Sequence, residues 1–240
     1  MTQVTVYAYT DVGLRRTRNE DAVLVNGWLS QSLNGTVTTF TVTARTPFVC
    51  AVADGMGGHH GGDVASRTAL SLMAAMAPGF VGAQEISTGL AQISDQIQLV
   101  GADPELAGLG TTVAGLSLTS DELIVFNVGD SRVYTVSDGA LVQLSVDDSV
   151  FDGEGRPTNI ITQSMGQAVA IEPHVLIGQR GPGTYLMCSD GVHGQIDPAE
   201  LQAAIIDMDR LTGCSTVIET VRANGATDNL TFLLIDITSD

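Results

Sequence analysis

Positive charge is scarce in this chain. Ten basic residues stand against 27 acidic ones in 240, a formal net charge of −17. A surface of that sign repels phosphate polymers, and no basic patch interrupts it, so nucleic acid is excluded as a partner. The acidity as a whole reads as a solubility feature, which leaves only particular acids for chemistry. Long apolar runs are also missing. No segment approaches 18 uninterrupted apolar residues, so no membrane span is expected. The start, Met1-Thr2-Gln3-Val4, lacks the charged and apolar regions of a secretory leader, and the cytoplasm is the expected compartment. Cysteine is limited to Cys50, Cys188 and Cys214. Their odd number and wide spacing fit small buried hydrophobes rather than a disulfide framework or a zinc set.

What is present is a foldable chain. Hydrophobic content of 44% argues against disorder, and 240 residues suffice for a large core. No linker, charge block or repeat divides the sequence, so residues 1–240 read as one domain. Residues 2–11 alternate, 22–29 are largely apolar, and 36–46 are rich in Thr and Val; all three predict strands. Helical spacing of Ala, Leu and Met predicts helices over 63–76 and 84–99, with Pro78-Gly79 stopping the first. Strands resume over 111–118, 123–128 and 132–136, with Ser137-Asp138-Gly139 as a hairpin turn. Residues 147–159 read as an exposed polar loop. Further strands are expected at 160–165, 175–177 and 185–188, then helices at 198–208 and 215–223, and a last strand at 230–237. Strands in runs, with helices in pairs between them, predict an α+β fold with two antiparallel sheets flanked by helices.

Four short acidic segments carry the chemistry: Asn19-Glu20-Asp21, Ala53-Asp54-Gly55-Met56-Gly57-Gly58, Cys188-Ser189-Asp190-Gly191 and Thr227-Asp228-Asn229. Two follow strand-like runs, at 48–53 and 185–188, and Asp228 precedes one at 230–235. A lone Asp-Gly is ordinarily a turn or a helix cap. An acid at the end of a buried strand, however, is costly unless a cation neutralises it. Two bare carboxylates 4 Å apart repel by about 4 kcal/mol at an effective dielectric near 20. Several acids from distant segments therefore point to a shared cation, and oxygen-only ligands point to a hard one, Mg²⁺ or Mn²⁺.

The order of these motifs resembles the PP2C family of metal-dependent serine/threonine protein phosphatases in its bacterial form. The resemblance runs from Asp11-Val12-Gly13, Arg16 and Asn19-Glu20-Asp21 through Ala53-Asp54-Gly55-Met56-Gly57-Gly58-His59. It continues through Gly110-Thr111-Thr112, Asn127-Val128-Gly129-Asp130-Ser131-Arg132 and Cys188-Ser189-Asp190-Gly191, and ends at Asp228-Asn229 with Thr231. It implies a four-layer α-β-β-α sandwich with two central antiparallel sheets and two Mn²⁺ or Mg²⁺ ions in a cleft at one end. By the resemblance, Asp54 bridges the ions and the Gly55 carbonyl helps hold the second. Asp190 and Asp228 complete the first site, while Glu20 and Asp21 act around the second. Arg16 matches the arginine that grips the substrate phosphate, a task suited to a planar fork. His59 stands near the site as a structural or substrate-side group, and Asp130 and Arg132 are expected to be structural. The partner implied is a phosphorylated protein, with a serine/threonine kinase opposing the enzyme.

The chain departs from the family pattern in three places. Where relatives carry an acid for a third ion, upstream of Gly110-Thr111-Thr112, this chain has Gly108, which leaves a third ion in doubt. The flap after Leu144-Ser145 is short, running from Asp147-Asp148-Ser149 only to Asn159, so a more open cleft is expected. His193, after Asp190, occupies a position where a small polar residue is usual, and a surface turn is expected there. Alternatives to the protein phosphatase are a non-catalytic regulatory module on the same fold, or a phosphatase for small esters or an anti-sigma antagonist protein.

Overall fold

The computed structural model describes every residue except Met1, Asn34, 58–60, 154–156 and Asp240, and describes no side chain for Pro157 and Asn159. The chain opens with five strands: β1 (Thr2–Asp11), β2 (Asp21–Val25), β3 (Trp28–Ser30), β4 (Thr38–Thr43) and β5 (Phe48–Met56). Two helices follow, α1 (Gly62–Met76) and α2 (Ala83–Val100). Then come β6 (Gly110–Thr111), β7 (Val113–Leu118), β8 (Glu122–Val128), β9 (Arg132–Ser137) and β10 (Ala140–Gln143). They are succeeded by β11 (Ser149–Phe151), β12 (Pro157–Ile161), β13 (His174–Gln179) and β14 (Gly183–Cys188). The chain closes with α3 (Asp190–His193), α4 (Pro198–Ile206), α5 (Arg210–Ala223) and β15 (Leu230–Ser239).

One sheet has the order β10-β9-β14-β15-β1-β4 and the other β13-β8-β7-β5-β2-β3, with β6 paired to β5. The pairings within both are antiparallel. The first and last strands pair along their whole length, from Thr2 opposite Ser239 to Asp11 opposite Leu230.

Period-two alternation divides each strand between two cores. On β5, Val49, Ala51 and Ala53 face α1 and α2, while Phe48, Cys50 and Val52 face the other sheet. The helices answer with Ala65, Ala69, Leu70 and Met73 on α1, and Ile86, Leu90, Ile93 and Ile97 on α2. These spacings place one apolar stripe along each helix. The opposite sheet repeats the arrangement: Val4, Val6 and Ala8 of β1 face inward, while Tyr9 packs toward α4 and α5 with Leu201, Val217 and Val221. Each fully buried Leu, Val or Phe in these layers contributes about 1.5–3 kcal/mol. The result is the four-layer α-β-β-α sandwich that the resemblance implies. All three cysteines are buried and unpaired. Among the described residues, no helix is long and apolar enough to cross a membrane.

Two expectations about local structure change. The apolar run at 22–29 is a hairpin, because Asn26 (φ 45°) and Gly27 (φ 92°) turn the chain between β2 and β3. Two consecutive left-handed residues suit a tight hairpin, and Asn-Gly is a strong signal for one. The segment at 147–159 is not simply a loop. Ser149 pairs with Ile161 and Phe151 with Pro157, which makes β11 and β12 a short hairpin beside the cleft. The strand expected at 160–165 ends at Ile161.

Candidate active site

The inter-sheet layer changes character at one end. Two residues beyond the last inward apolar side chain, each strand places a polar one. In one sheet Val23 leads to Asp21, Val52 to Asp54 and Ala114 to Thr112. In the other, Ala8 leads to Thr10, Val133 to Ser131, Met187 to Ser189 and Leu233 to Thr231. Thr10, Asp21, Thr112, Ser131, Ser189 and Thr231 are fully buried. Two pairs of hydroxyls bond each other: Thr10 Oγ1 and Thr231 Oγ1 lie 2.7 Å apart, as do Thr112 Oγ1 and Ser131 Oγ. This hydroxyl layer forms the floor of the site.

Acids sit on that floor. Asp21 and Asp54 are directly opposite each other across β2 and β5, an arrangement that costs stability for like charges. Ser189 Oγ donates to Asp21 Oδ2 at 2.9 Å. The Asp54 backbone is held by the Gly110-Thr111-Thr112 segment: its carbonyl accepts from Thr112 N and from Thr111 Oγ1, each at 2.9 Å. Asp190, at the start of α3, lies close to Asp54 and Asp228. Burial, reinforced by the neighbouring acids, pushes Asp21, Asp54 and Asp190 above the usual carboxylate range.

Glu20 and Asp21 diverge, as adjacent residues entering a strand do. Asp21 turns to the floor, whereas the Glu20 carboxylate lies against Gly62 at the start of α1. A Cβ on Gly62 would meet both Glu20 Oε1 and the Gly55 carbonyl oxygen at 2.7 Å, so these two oxygens converge there. Gly55 must itself be glycine, because a Cβ would collide with the Gly62 carbonyl.

Arg16 arrives from the loop between β1 and β2. Its Nη2 reaches Asp228 Oδ2 at 2.7 Å, with the arginine side chain 49% exposed. Gly13 (φ 74°) makes this approach possible, since any side chain would collide with the Asp228 carbonyl. Asn229 clamps the loop. Its Oδ1 accepts from Glu20 N at 2.8 Å, and its Nδ2 donates to the Val12 and Arg18 carbonyls at 3.0 and 2.8 Å.

A cavity of about 360 Å³ opens above these groups, lined by Asp130, Asp190, Asp228, His193, Ser149 and Thr158 among others. Two expectations are revised here. Asp130 faces Asp190, and burial and that neighbour push its carboxyl up to about 7. Asp130 is therefore an acid on the Asp190 side of the site, whereas Asp103, upstream of Gly108, caps a short turn by accepting from Glu105 N. His193 is no simple surface turn. It lines the cavity, its Nε2–H donates to the Asp130 carbonyl at 3.1 Å, and burial pushes its pKa down to about 4. His59 lies outside the described residues.

The donor set suits a hard divalent cation. Asp21 Oδ1, Asp130 Oδ1 and Asp190 Oδ1 are buried without a hydrogen-bond partner, a costly state that a cation relieves. Among the described residues, no three His, Cys, Asp or Glu side chains already converge as a finished ligand set. Asp228 is turned to Arg16 and Asp21 to Ser189.

Comparison with known proteins agrees with this arrangement. The chain is 30% identical over 251 residues to the serine/threonine phosphatase stp of Listeria innocua, covering 95% of this chain and 93% of that protein. It is 28% identical over 250 residues to the serine/threonine protein phosphatase PstP of Mycobacterium tuberculosis, covering 96% of this chain but only 44% of that longer protein. The solved catalytic domain of PstP, in complex with two manganese ions, superimposes with a TM-score of 0.76 at 26% identity over the full length of both chains. The serine/threonine phosphatase of S. agalactiae matches in fold, with a TM-score of 0.79 at 24% identity over 97% of this chain and 98% of that one. The family model for protein phosphatase 2C matches residues 36–233. This chain belongs to the protein phosphatase 2C family.

Proposed function

We propose that this chain hydrolyses phosphoserine and phosphothreonine on proteins, using two divalent ions, Mn²⁺ or Mg²⁺, at the acidic end of the inter-sheet layer. Asp54 would bridge them, Asp190 and Asp228 would complete one site, and Glu20, Asp21 and the Gly55 carbonyl would serve the other. Bound there, the ions lower the pKa of a water and offset phosphoryl charge. Arg16 supplies the fork for the phosphate: its guanidinium is half exposed and already borders the cavity through Asp228. Asn229 fixes the loop that carries Arg16, and Ser189 fixes Asp21. His193 is not the proton donor to the leaving oxygen, because burial keeps it neutral and its one N–H is committed to Asp130. Water is left to protonate the departing serine or threonine. A serine/threonine kinase would supply the substrate.

One observation carries this reading. Asp21, Asp54, Asp190 and Asp228 come from four distant segments to one cleft, where three of them are held above their ordinary range by burial and one another. The two-manganese complex of the PstP catalytic domain supports it. The test is hydrolysis of a phosphothreonine peptide with and without Mn²⁺, for wild type and Asp190→Asn. Turnover that requires metal and disappears in the variant is expected. Metal-independent turnover, or full activity in the variant, would sink the assignment.

A further inference from the structure

Beside the catalytic cavity lies a second one of about 300 Å³, and the two share Arg132 and His193 as walls. The β9–β10 hairpin contributes Tyr134 and Leu141 to it, and the start of α4 contributes Leu201, with Ile196 just before that helix. We infer that this side cavity is a specificity pocket that receives an apolar side chain flanking the phosphorylated residue of the substrate. The inference rests on the phosphatase reading above and names part of its substrate class.

Three observations favour an apolar guest. First, the walls are mostly aliphatic or aromatic, and Tyr134, Ile196 and Leu201 are themselves almost fully buried. Second, polar groups on every polar wall of the pocket already have partners within the fold. Arg132 forks onto Asp147 through Nε and Nη2, at 3.0 and 2.6 Å, and gives Nη1 to the Tyr134 hydroxyl at 3.1 Å. Gln202 Oε1 accepts from Leu141 N at 3.0 Å, and His193 Nε2 is held by the Asp130 carbonyl. A charged guest would be desolvated with little to compensate it, whereas an aliphatic one only exchanges water for carbon. Third, the pocket adjoins the catalytic cavity across Arg132 and His193, which places it within reach of a side chain flanking a phosphate held near Asp190 and Asp228. On the opposite side the cavity is bounded by Ser149 and Thr158 of the β11–β12 hairpin, both polar. The two walls thus differ in what they accept, and the apolar preference belongs to the α4 side.

The test is a panel of phosphothreonine peptides carrying leucine, serine or glutamate at each position flanking the phosphoresidue, assayed with Mn²⁺ alongside p-nitrophenyl phosphate. Leucine at one position should raise kcat/KM about tenfold over serine, the order that burying one such side chain supplies. Ala199→Trp, on the exposed first turn of α4, fills the pocket without displacing core atoms. It should erase the leucine advantage and leave p-nitrophenyl phosphate turnover unchanged. Leu141→Ala enlarges the pocket and should move the preference toward phenylalanine. Equal kcat/KM for leucine and serine at every position, with normal ester turnover, overturns the pocket while the phosphatase reading stands. A leucine advantage that survives Ala199→Trp also overturns it. Absence of turnover on peptides and ester alike overturns the phosphatase reading and the pocket with it.

Discussion

The middle of the inter-sheet layer and its acidic end are built on the same strands in the same register, yet they behave in opposite ways. In the middle, Phe48, Cys50 and Val52 meet Val4, Val6 and Leu233, and every buried atom there favours folding. Two residues further on, the same alternation delivers Asp54, Asp21 and Ser189. There, burial opposes folding because it concentrates negative charge. The comparison shows that placing Asp21 and Asp54 in the layer takes no more than strand alternation, whereas Gly13 and Gly55 serve the close approaches around them. Changing residue type at the next inward position turns a core into an acidic cleft, and the stability gained in the middle offsets what the end costs.

Substitutions at the two ends should separate these roles. Asp54→Asn should lower metal-dependent turnover by more than about a thousandfold. It should also raise the thermal midpoint of the metal-free protein, since it removes one of two opposed carboxylates. A paired activity and melting measurement checks both signs, and a lower midpoint would contradict the account of repulsion. Phe48→Ala, in the middle of the layer, should do the reverse. A loss of about 3–5 kcal/mol in denaturant titration is expected, with kcat of the folded fraction unchanged.

Protonation sharpens the contrast further. Asp21 and Asp54 are raised above the usual carboxylate range, and Asp130 is raised to about 7. The folded protein therefore keeps protons that the unfolded chain, with acids near pH 4, has already released. Linkage then requires metal-free stability to fall as pH rises from about 4 to about 7. Melting in the presence of a chelator across that range should show the decline, and saturating Mn²⁺ should flatten it. The smallest expected effect is Ser189→Ala. It leaves the buried Asp21 carboxylate short of one donor and should cost about 1–3 kcal/mol in the metal-free protein. Because the loss falls on an acid of the cleft, Mn²⁺ titration should register it as a change in affinity, which no substitution in the middle of the layer should produce.

Much of the sandwich was legible because most strands and all four long helices announce themselves by period. The β2–β3 hairpin was missed although Asn26-Gly27 marks it, because apolar residues on both sides of the turn read as one continuous run. The β11–β12 hairpin was missed for another reason: its ladder is only three residues long on one side and too short to show alternation. At the site, Asp54 and Asp190 stood out because each ends an apolar run in an acid. Asp130 did not, since it lies in a turn whose neighbours serve the core, and only the fold brings it opposite Asp190. Asn229 and Ser189 were noticed as neighbours of acids, but their hydrogen bonds link segments about 210 and 170 residues apart in sequence. The hydroxyl floor becomes visible only when five segments are aligned, because no single strand contributes more than one of its members.

The pairing of β1 with β15 has a practical consequence. Thr2 and Ser239 sit side by side at one end of the sheet, while Asp11 and Leu230 sit at the cleft end. Ten residues of extended strand separate the two ends, a distance of about 30 Å. A fluorescent protein, an affinity tag or a surface tether joined ahead of Thr2 or after Ser239 would emerge at the end of the sheet away from the cleft. A short linker from Ser239 to Thr2 would allow the chain to be reopened at an exposed turn such as Asp138-Gly139, giving a circular permutant whose acids stay at the cleft end.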